Sequence, residues 1–219
     1  MKRVGPVLIV LVVVTAALAV HVYRSFNNWI GTPLPVEEPV VVVVETGSTL
    51  RQTAESLEQA GVLDRPQHFV WYARLRDKAN DIKAGEYKIE VGTTPAELLE
   101  MLISGAVVLH QITFIEGWTF AQIREALAAH DKVSNETAGL DDAEVMEALA
   151  LDGLHPEGRF FPDTYRFAAG TSDLEVLDDA QTLMSEHLAT VWEGRASGLP
   201  FSTSDEALIL ASIIEKETG

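Results

Sequence analysis

The 219 residues carry 16 basic and 33 acidic side chains, a formal net charge of −17, and no cysteine. So acidic a chain repels phosphate backbones, which argues against nucleic-acid binding, and the missing thiols exclude disulfides, a thiolate nucleophile, Cys-ligated zinc and a cysteine-linked lipid. The length is enough for one or two domains with a real core.

Lys2 and Arg3 precede a charge-free run from Val4 to Val20, which Tyr23-Arg24 closes. An apolar stretch of about 17 to 20 residues lies at the short end of what spans a hydrocarbon core, and predicts a membrane helix. With Lys2 and Arg3 on the cytoplasmic side, the bulk of the chain faces outward. Tyr23, Arg24 and Trp29 suit an interfacial flank. Ala17-Leu18-Ala19 also has the small-x-small form of a signal-peptide cleavage site, so a removed leader is the rival reading. The three prolines between Gly31 and Pro39 predict an extended spacer.

Five consecutive valines, Val40–Val44, predict a buried strand. Thr49-x-x-Gln52 is a capping box opening a helix with Leu50, Ala54 and Leu57 on one face and a stop at Gly61. Pro66 starts a second helix bearing Phe69, Tyr72, Ala73 and Arg76 along one side. Tyr87, Ile89 and Val91 alternate with charged residues, as in a half-exposed strand. Strand, helix, helix, strand makes a βααβ module whose strands pair. Thr94-Pro95-x-Glu97 caps another helix, through Leu98, Leu99 and Leu102 to Gly105. A strand over 107–115 and a helix capped at Thr119-x-x-Gln122, with Ile123 and Leu127 inside, follow. The acidic stretch Asp131–Glu144 reads as a loop or insertion. Its Asn135-Glu136-Thr137 fits a glycosylation triplet of a kind frequent by chance.

Gly-rich phosphate loops, His-Glu-x-x-His and Gly-x-Ser-x-Gly are absent, and the histidines His21, His68, His110, His130, His155 and His187 are scattered without ligand spacing. No metal and no cofactor is expected. Two segments stand out. In Glu157-Gly158-Arg159-Phe160-Phe161-Pro162-Asp163-Thr164-Tyr165, aromatic rings beside carboxylates suit a saccharide groove; a tight turn burying the phenylalanines, capped by Asp163, is the plainer alternative. A final helix opens with the capping box Thr203-x-x-Glu206 and is apolar almost all round from Ala207 to Ile214, which predicts a buried helix. It delivers Glu215, Lys216 and Glu217. Glu217 follows Leu210, Ile213 and Ile214 at spacings of seven, four and three, where large aliphatic neighbours would strip water from a carboxyl and keep it protonated, as a general acid needs. The alternative is the solvated end of a core helix.

Ala211-Ser212-Ile213-Ile214-Glu215-Lys216-Glu217-Thr218 and the Glu157–Tyr165 segment, with Lys83-Ala84-Gly85-Glu86-Tyr87, Glu116-Gly117 and Trp192-Glu193-Gly194-Arg195, resemble the endolytic murein transglycosylases of the YceG-like family. The resemblance implies an α+β fold: a membrane anchor over 1–24, a linker over 25–39, a LysM-like βααβ subdomain over 40–105, and over 106–219 the N-terminal part of a catalytic domain. It implies cleavage of the β-1,4 bond between N-acetylmuramic acid and N-acetylglucosamine in peptidoglycan, with a 1,6-anhydro-muramoyl end as product. The acid carries over to Glu217, with Glu215 as fallback, and Glu157, Asp163 and Tyr165 carry over to the groove. Implied partners are peptidoglycan glycan strands, the cell inner membrane crossed once, and penicillin-binding proteins or other wall-synthesis machinery. Family members continue well past this glutamate, so a chain ending at Gly219 is expected to have little or no activity. The rival class is a membrane-tethered, non-catalytic peptidoglycan scaffold.

Overall fold

A computed structural model describes residues 4–218, with the side chains of 4–9, 216 and 218 excepted. Lys2 and Arg3, on which the outward orientation rests, lie outside the described residues. The fold is mixed α+β, divided into two compact units, up to Val108 and from Leu109 onward.

The first unit begins with α1 (Val4–Ile30), an apolar helix long enough to cross a membrane. It runs six residues beyond Arg24, and its end is part of the folded unit: Trp29 is 8% exposed and its Nε1 donates to Asp64 Oδ1 at 3.0 Å. Trp29 is therefore a core residue and not an interfacial flank. The segment after it is no free spacer either. Leu34 and Val36 are buried in the same core and the Leu34 N–H donates to Thr93 O at 2.8 Å. Prolines keep this chain extended, and its apolar side chains find the domain surface before they find water.

β1 (Val40–Val44) and β2 (Gly85–Ile89) pair antiparallel, Val40 opposite Ile89 and Val44 opposite Gly85. Between them lie α2 (Leu50–Gln59) and α3 (Pro66–Leu75), and α4 (Pro95–Ser104) follows. The valine strand is not buried throughout: Val42 and Val44 face the core while Val41 and Val43 stand exposed, because successive strand residues point to opposite faces and helices cover only one. Val91 falls beyond β2 and is exposed. Thr49 and Thr94 make the expected reciprocal caps with Gln52 and Glu97, each contributing about 1 kcal/mol. Phe69, Tyr87, Ile89 and three leucines of α4, Leu98, Leu99 and Leu102, are fully enclosed, at about 1.5–3 kcal/mol per large side chain. Gly85 is required: a Cβ there would lie 2.4 Å from Val107 Cγ1, and its φ is +143°.

In the second unit β3 (Leu109–Thr113) pairs antiparallel with β4 (Thr164–Ala168), Ile112 opposite Tyr165. α5 (Phe120–Ala129), α6 (Asp142–Ala148), α7 (Asp173–Glu193) and α8 (Ser204–Thr218) complete it. Phe114, Phe120, Ile123, Leu127, Met146 and Leu177 form its core. The acidic stretch expected as a loop ends inside a helix, because Asp141 and Glu144 make a capping box that starts α6. Its middle is tied down: Thr137 is buried and donates its hydroxyl to Asp173 at 2.6 Å.

α8 corrects the sequence reading most. It forms where expected, with Thr203 Oγ1 accepting from the Glu206 N–H at 3.2 Å, but it is not buried. Ile209, Leu210, Ile213 and Ile214 are 61, 41, 55 and 54% exposed. An all-round apolar pattern states that a helix seeks cover, not which residues provide it.

Candidate functional site

Two turns meet one face of α8. Arg159 Nη1 pairs with Asp205 Oδ1 at 2.8 Å. A Cβ on Gly158 would rest 3.4 Å from Leu208 Cδ2, and a Cβ on Gly117 would stand 3.3 Å from Glu215 Oε1. Asp205, Leu208 and Glu215 share that face, so the ion pair sets the start of the helix and Glu215 closes its far end onto the 116–118 turn. Arg159 Nε is buried without a hydrogen-bond partner, a cost its Nη1 pair offsets.

Glu217 lies about 200° around the helix axis from Glu215 and is exposed. The stripe of Leu210, Ile213 and Ile214 expected to dehydrate it is itself exposed. The desolvation argument for Glu217 therefore finds no support among the described residues. Both glutamates are exposed and differ instead in direction: Glu215 stands beside the Gly117 turn, Glu217 on the opposite side of the helix.

Glu157 is exposed, and both its carboxylate oxygens accept from the Phe120 N–H at 3.2 Å. A negative group at the first turn of α5 meets unpaired N–H groups and the positive end of the helix. Asp163 is exposed, with Oδ1 accepting from the Thr164 N–H at 2.6 Å and its carbonyl accepting from Phe114 N–H at 2.9 Å. Tyr165 is buried on β4 with its ring 4.9 Å from that of Phe114, and its hydroxyl donates to Phe161 O at 2.5 Å. Of the two phenylalanines, Phe160 stacks on Phe120 at 5.0 Å inside the core, whereas Phe161 is half-buried with its ring 4.9 Å from His187. The plainer reading of this segment thus accounts for Phe160 and Tyr165, and leaves Glu157, Asp163 and Phe161 near solvent. Arg159 and Gly117 are the residues whose part the sequence did not indicate, since a pair 46 residues apart leaves no local pattern.

Burial, then the nearby charges of Asp163 and Asp179, push the Tyr165 phenol above its ordinary value of 10.0. The neutral phenol is favoured in the folded state, so its contribution is intact below about pH 10 and lost as pH rises further. Tyr165→Phe is expected to flatten the alkaline fall in stability of this unit, read as thermal midpoint against pH. Gly117, at φ +77°, gives a second expectation: Gly117→Ala costs about 1–2 kcal/mol for the left-handed conformation and displaces Glu215, seen as a lowered melting temperature and raised protease sensitivity of α8.

Among the described residues no group of three or more His, Asp or Glu side chains could hold a metal ion. Three of the histidines act as packing or turn groups: His130 Nδ1 accepts from Lys132 N–H at 3.2 Å, His155 Nδ1 from Glu157 N–H at 3.3 Å, and His68 lies 5.6 Å from the Trp29 ring.

Proteins described as endolytic murein transglycosylase from two strains of Streptococcus pneumoniae are each 26% identical to this chain over 236 residues, covering 92% of it. The chain spans 42% of the length of those relatives. A crystal structure of a yceG-like protein from Listeria monocytogenes matches with a TM-score of 0.34 at 21% identity, over 72% of this chain and 58% of that one. The model of the YceG-like family matches residues 42–219, through both units, and the chain belongs to that family.

Proposed function

We propose that this protein is an endolytic lytic transglycosylase of peptidoglycan, with Glu217 as its acid and base. The observation that carries the reading is the direction of two exposed carboxyls at the end of α8: Glu215 stands beside the Gly117 turn while Glu217 lies on the other side, in a chain whose family includes relatives described as murein transglycosylases. A catalytic carboxyl must reach its substrate without a neighbouring turn in the way, and of these two exposed glutamates it is Glu215 that stands against one.

In the proposed reaction, protonated Glu217 donates to the oxygen of the β-1,4 bond between N-acetylmuramic acid and N-acetylglucosamine. The C1–O bond breaks and the N-acetylglucosamine leaves with its 4-hydroxyl restored. The C6 hydroxyl of the same muramoyl residue attacks C1 and gives its proton to the Glu217 carboxylate, which returns to its starting state. No water is consumed. Since the nucleophile belongs to the substrate, one carboxyl suffices where most glycosidases need two. Exposed Asp163 and Glu157 and half-buried Phe161 would line the glycan path; Tyr165 would support it from below through its bond to the Phe161 carbonyl. The βααβ part of the first unit would serve as a LysM-like glycan grip, α1 as a single-pass inner-membrane anchor with both units outside, and penicillin-binding proteins or other wall-synthesis machinery as partners.

One observation favours the scaffold alternative: nothing among the described residues shields Glu217 from water. Digesting purified peptidoglycan with the intact protein and weighing the fragments separates the readings. Anhydro-muramoyl ends support the transglycosylase, reducing ends indicate a water nucleophile, and bound glycan without fragments leaves the scaffold.

A further inference from the structure

α1 outlasts its apolar run. The charge-free run ends at Tyr23-Arg24, yet the helix continues to Ile30 and its last turns pack on α3. The His68 ring lies 6.0 Å from Phe26 and 5.6 Å from Trp29. At about 1.5 Å per residue those two rings stand about 4.5 and 9 Å past Tyr23 along the axis. The run before Tyr23 is about long enough for the roughly 30 Å hydrocarbon core of a bilayer, so His68 would stand at headgroup depth. Trp71 is next to it, 6.3 Å away and 61% exposed.

The surroundings of Trp71 suit that depth. A groove of about 240 Å³ opens beside it between α2 and α3, with Val70 in its floor, Arg51 and Arg74 on its walls, and Glu55 and Glu58 along α2. Arg51 and Arg74 make no ion pair among the described residues. Of the neighbouring arginines, Arg65 pairs with Asp64 at 3.5 Å and Arg76 with Glu100 at 3.6 Å, which leaves Arg51 and Arg74 as the cations the groove presents. Indoles favour the boundary between headgroups and acyl chains, and guanidinium groups favour lipid phosphate.

Resting on the reading of α1 as an anchor, we infer that the Trp71 face of α3 is seated in the phospholipid headgroup layer of the membrane that α1 enters. Arg51 and Arg74 meet lipid phosphates, Glu55 and Glu58 meet the ammonium of ethanolamine headgroups, and the Trp71 indole sits at the apolar boundary. The first unit is then held against the bilayer surface by two contacts, the helix and this face.

The 219 residues contain no cysteine, so single nitroxide labels report cleanly. The labelled chain, as Val14→Cys or Gln67→Cys, is reconstituted in vesicles of phosphatidylethanolamine and phosphatidylglycerol. Collision rates with oxygen, which enters lipid, and with a nickel chelate, which stays in water, are compared with those of free label in buffer. The expected oxygen-to-nickel ratio is several-fold above free label at position 67, higher still at 14, and falls at 67 when Trp71→Ala is added. A ratio at 67 equal to free label, with 14 in lipid, overturns the headgroup contact and leaves the anchor. A ratio at 14 equal to free label overturns the anchor itself, and the contact with it.

Discussion

Glu217→Gln in the intact protein is expected to lower the rate of glycan cleavage by about 10²- to 10⁴-fold, the usual contribution of a positioned general acid and base. The amide keeps the size and exposure of the side chain but carries no proton of suitable acidity and takes none up. Glycan binding should survive, because the substitution leaves the Glu157–Asp163 segment and the seat of α8 unchanged. Glu215→Gln is the informative companion. Glu215 stands beside the Gly117 turn, where a Cβ would lie 3.3 Å from its Oε1, and losing its charge there is expected to change cleavage by no more than about fivefold, the equivalent of about 1 kcal/mol. If Glu215→Gln proves the more damaging for cleavage with folding unaffected, the two glutamates exchange roles and the proposed reaction runs through Glu215. If neither changes an observable rate of cleavage, the carboxyl lies elsewhere.

That contrast between neighbouring glutamates shows how far the sequence could be read. Helix starts were legible because their signals are local: a Ser, Thr or Asp followed three residues later by Gln or Glu satisfies N–H groups within one turn, and Thr49, Thr94 and Thr119 all do so. The same rule marks Asp141 and Ser172, so α6 and α7 were readable in principle. Period-two alternation identified β2 but overextended it to Val91, since one more apolar residue in register looks the same whether or not a partner strand opposes it. Cover is harder. The valines of β1 and the isoleucines of α8 are equally apolar, and only tertiary neighbours decide which side of each is wet. The α8 contacts were illegible for a different reason: Arg159 finds Asp205 and Gly117 finds Glu215 across long stretches of chain, and neither pairing has a spacing that a helix or strand would impose. The phenylalanine pair illustrates the middle ground. Phe160 and Phe161 precede β4 (Thr164–Ala168) and lie outside any strand alternation, so the sequence did not indicate which of the two would face the core.

Asp173→Ala is expected to remove about 3 kcal/mol from the stability of the second unit, through groups that no catalytic argument touches. The carboxylate is 2% exposed and accepts the Glu136 N–H at 3.0 Å, the Thr137 N–H at 3.2 Å, the Thr137 hydroxyl at 2.6 Å and its neighbour's Leu174 N–H at 3.0 Å. It thereby fastens the polar stretch after Lys132 to the first turn of α7, whose later turn holds Phe161 through an N–H bond to the Ala180 carbonyl at 3.0 Å. Alanine leaves those donors facing a gap, and a buried donor without an acceptor costs about 1–3 kcal/mol. Water entering the gap would recover some of that, which keeps the total below the sum. Asp173→Asn should lose less than alanine, because its carbonyl oxygen still accepts on one side while its amide nitrogen turns a donor toward Thr137. Hydrogen exchange at the Glu136 and Thr137 amides is the direct measurement, with urea unfolding of the second unit as the global one. Protection at both amides should fall sharply in the alanine variant. Unchanged protection there, with stability within about 1 kcal/mol of the parent, would mean that the bridge between Ser134 and Ser172 holds the segment without the carboxylate.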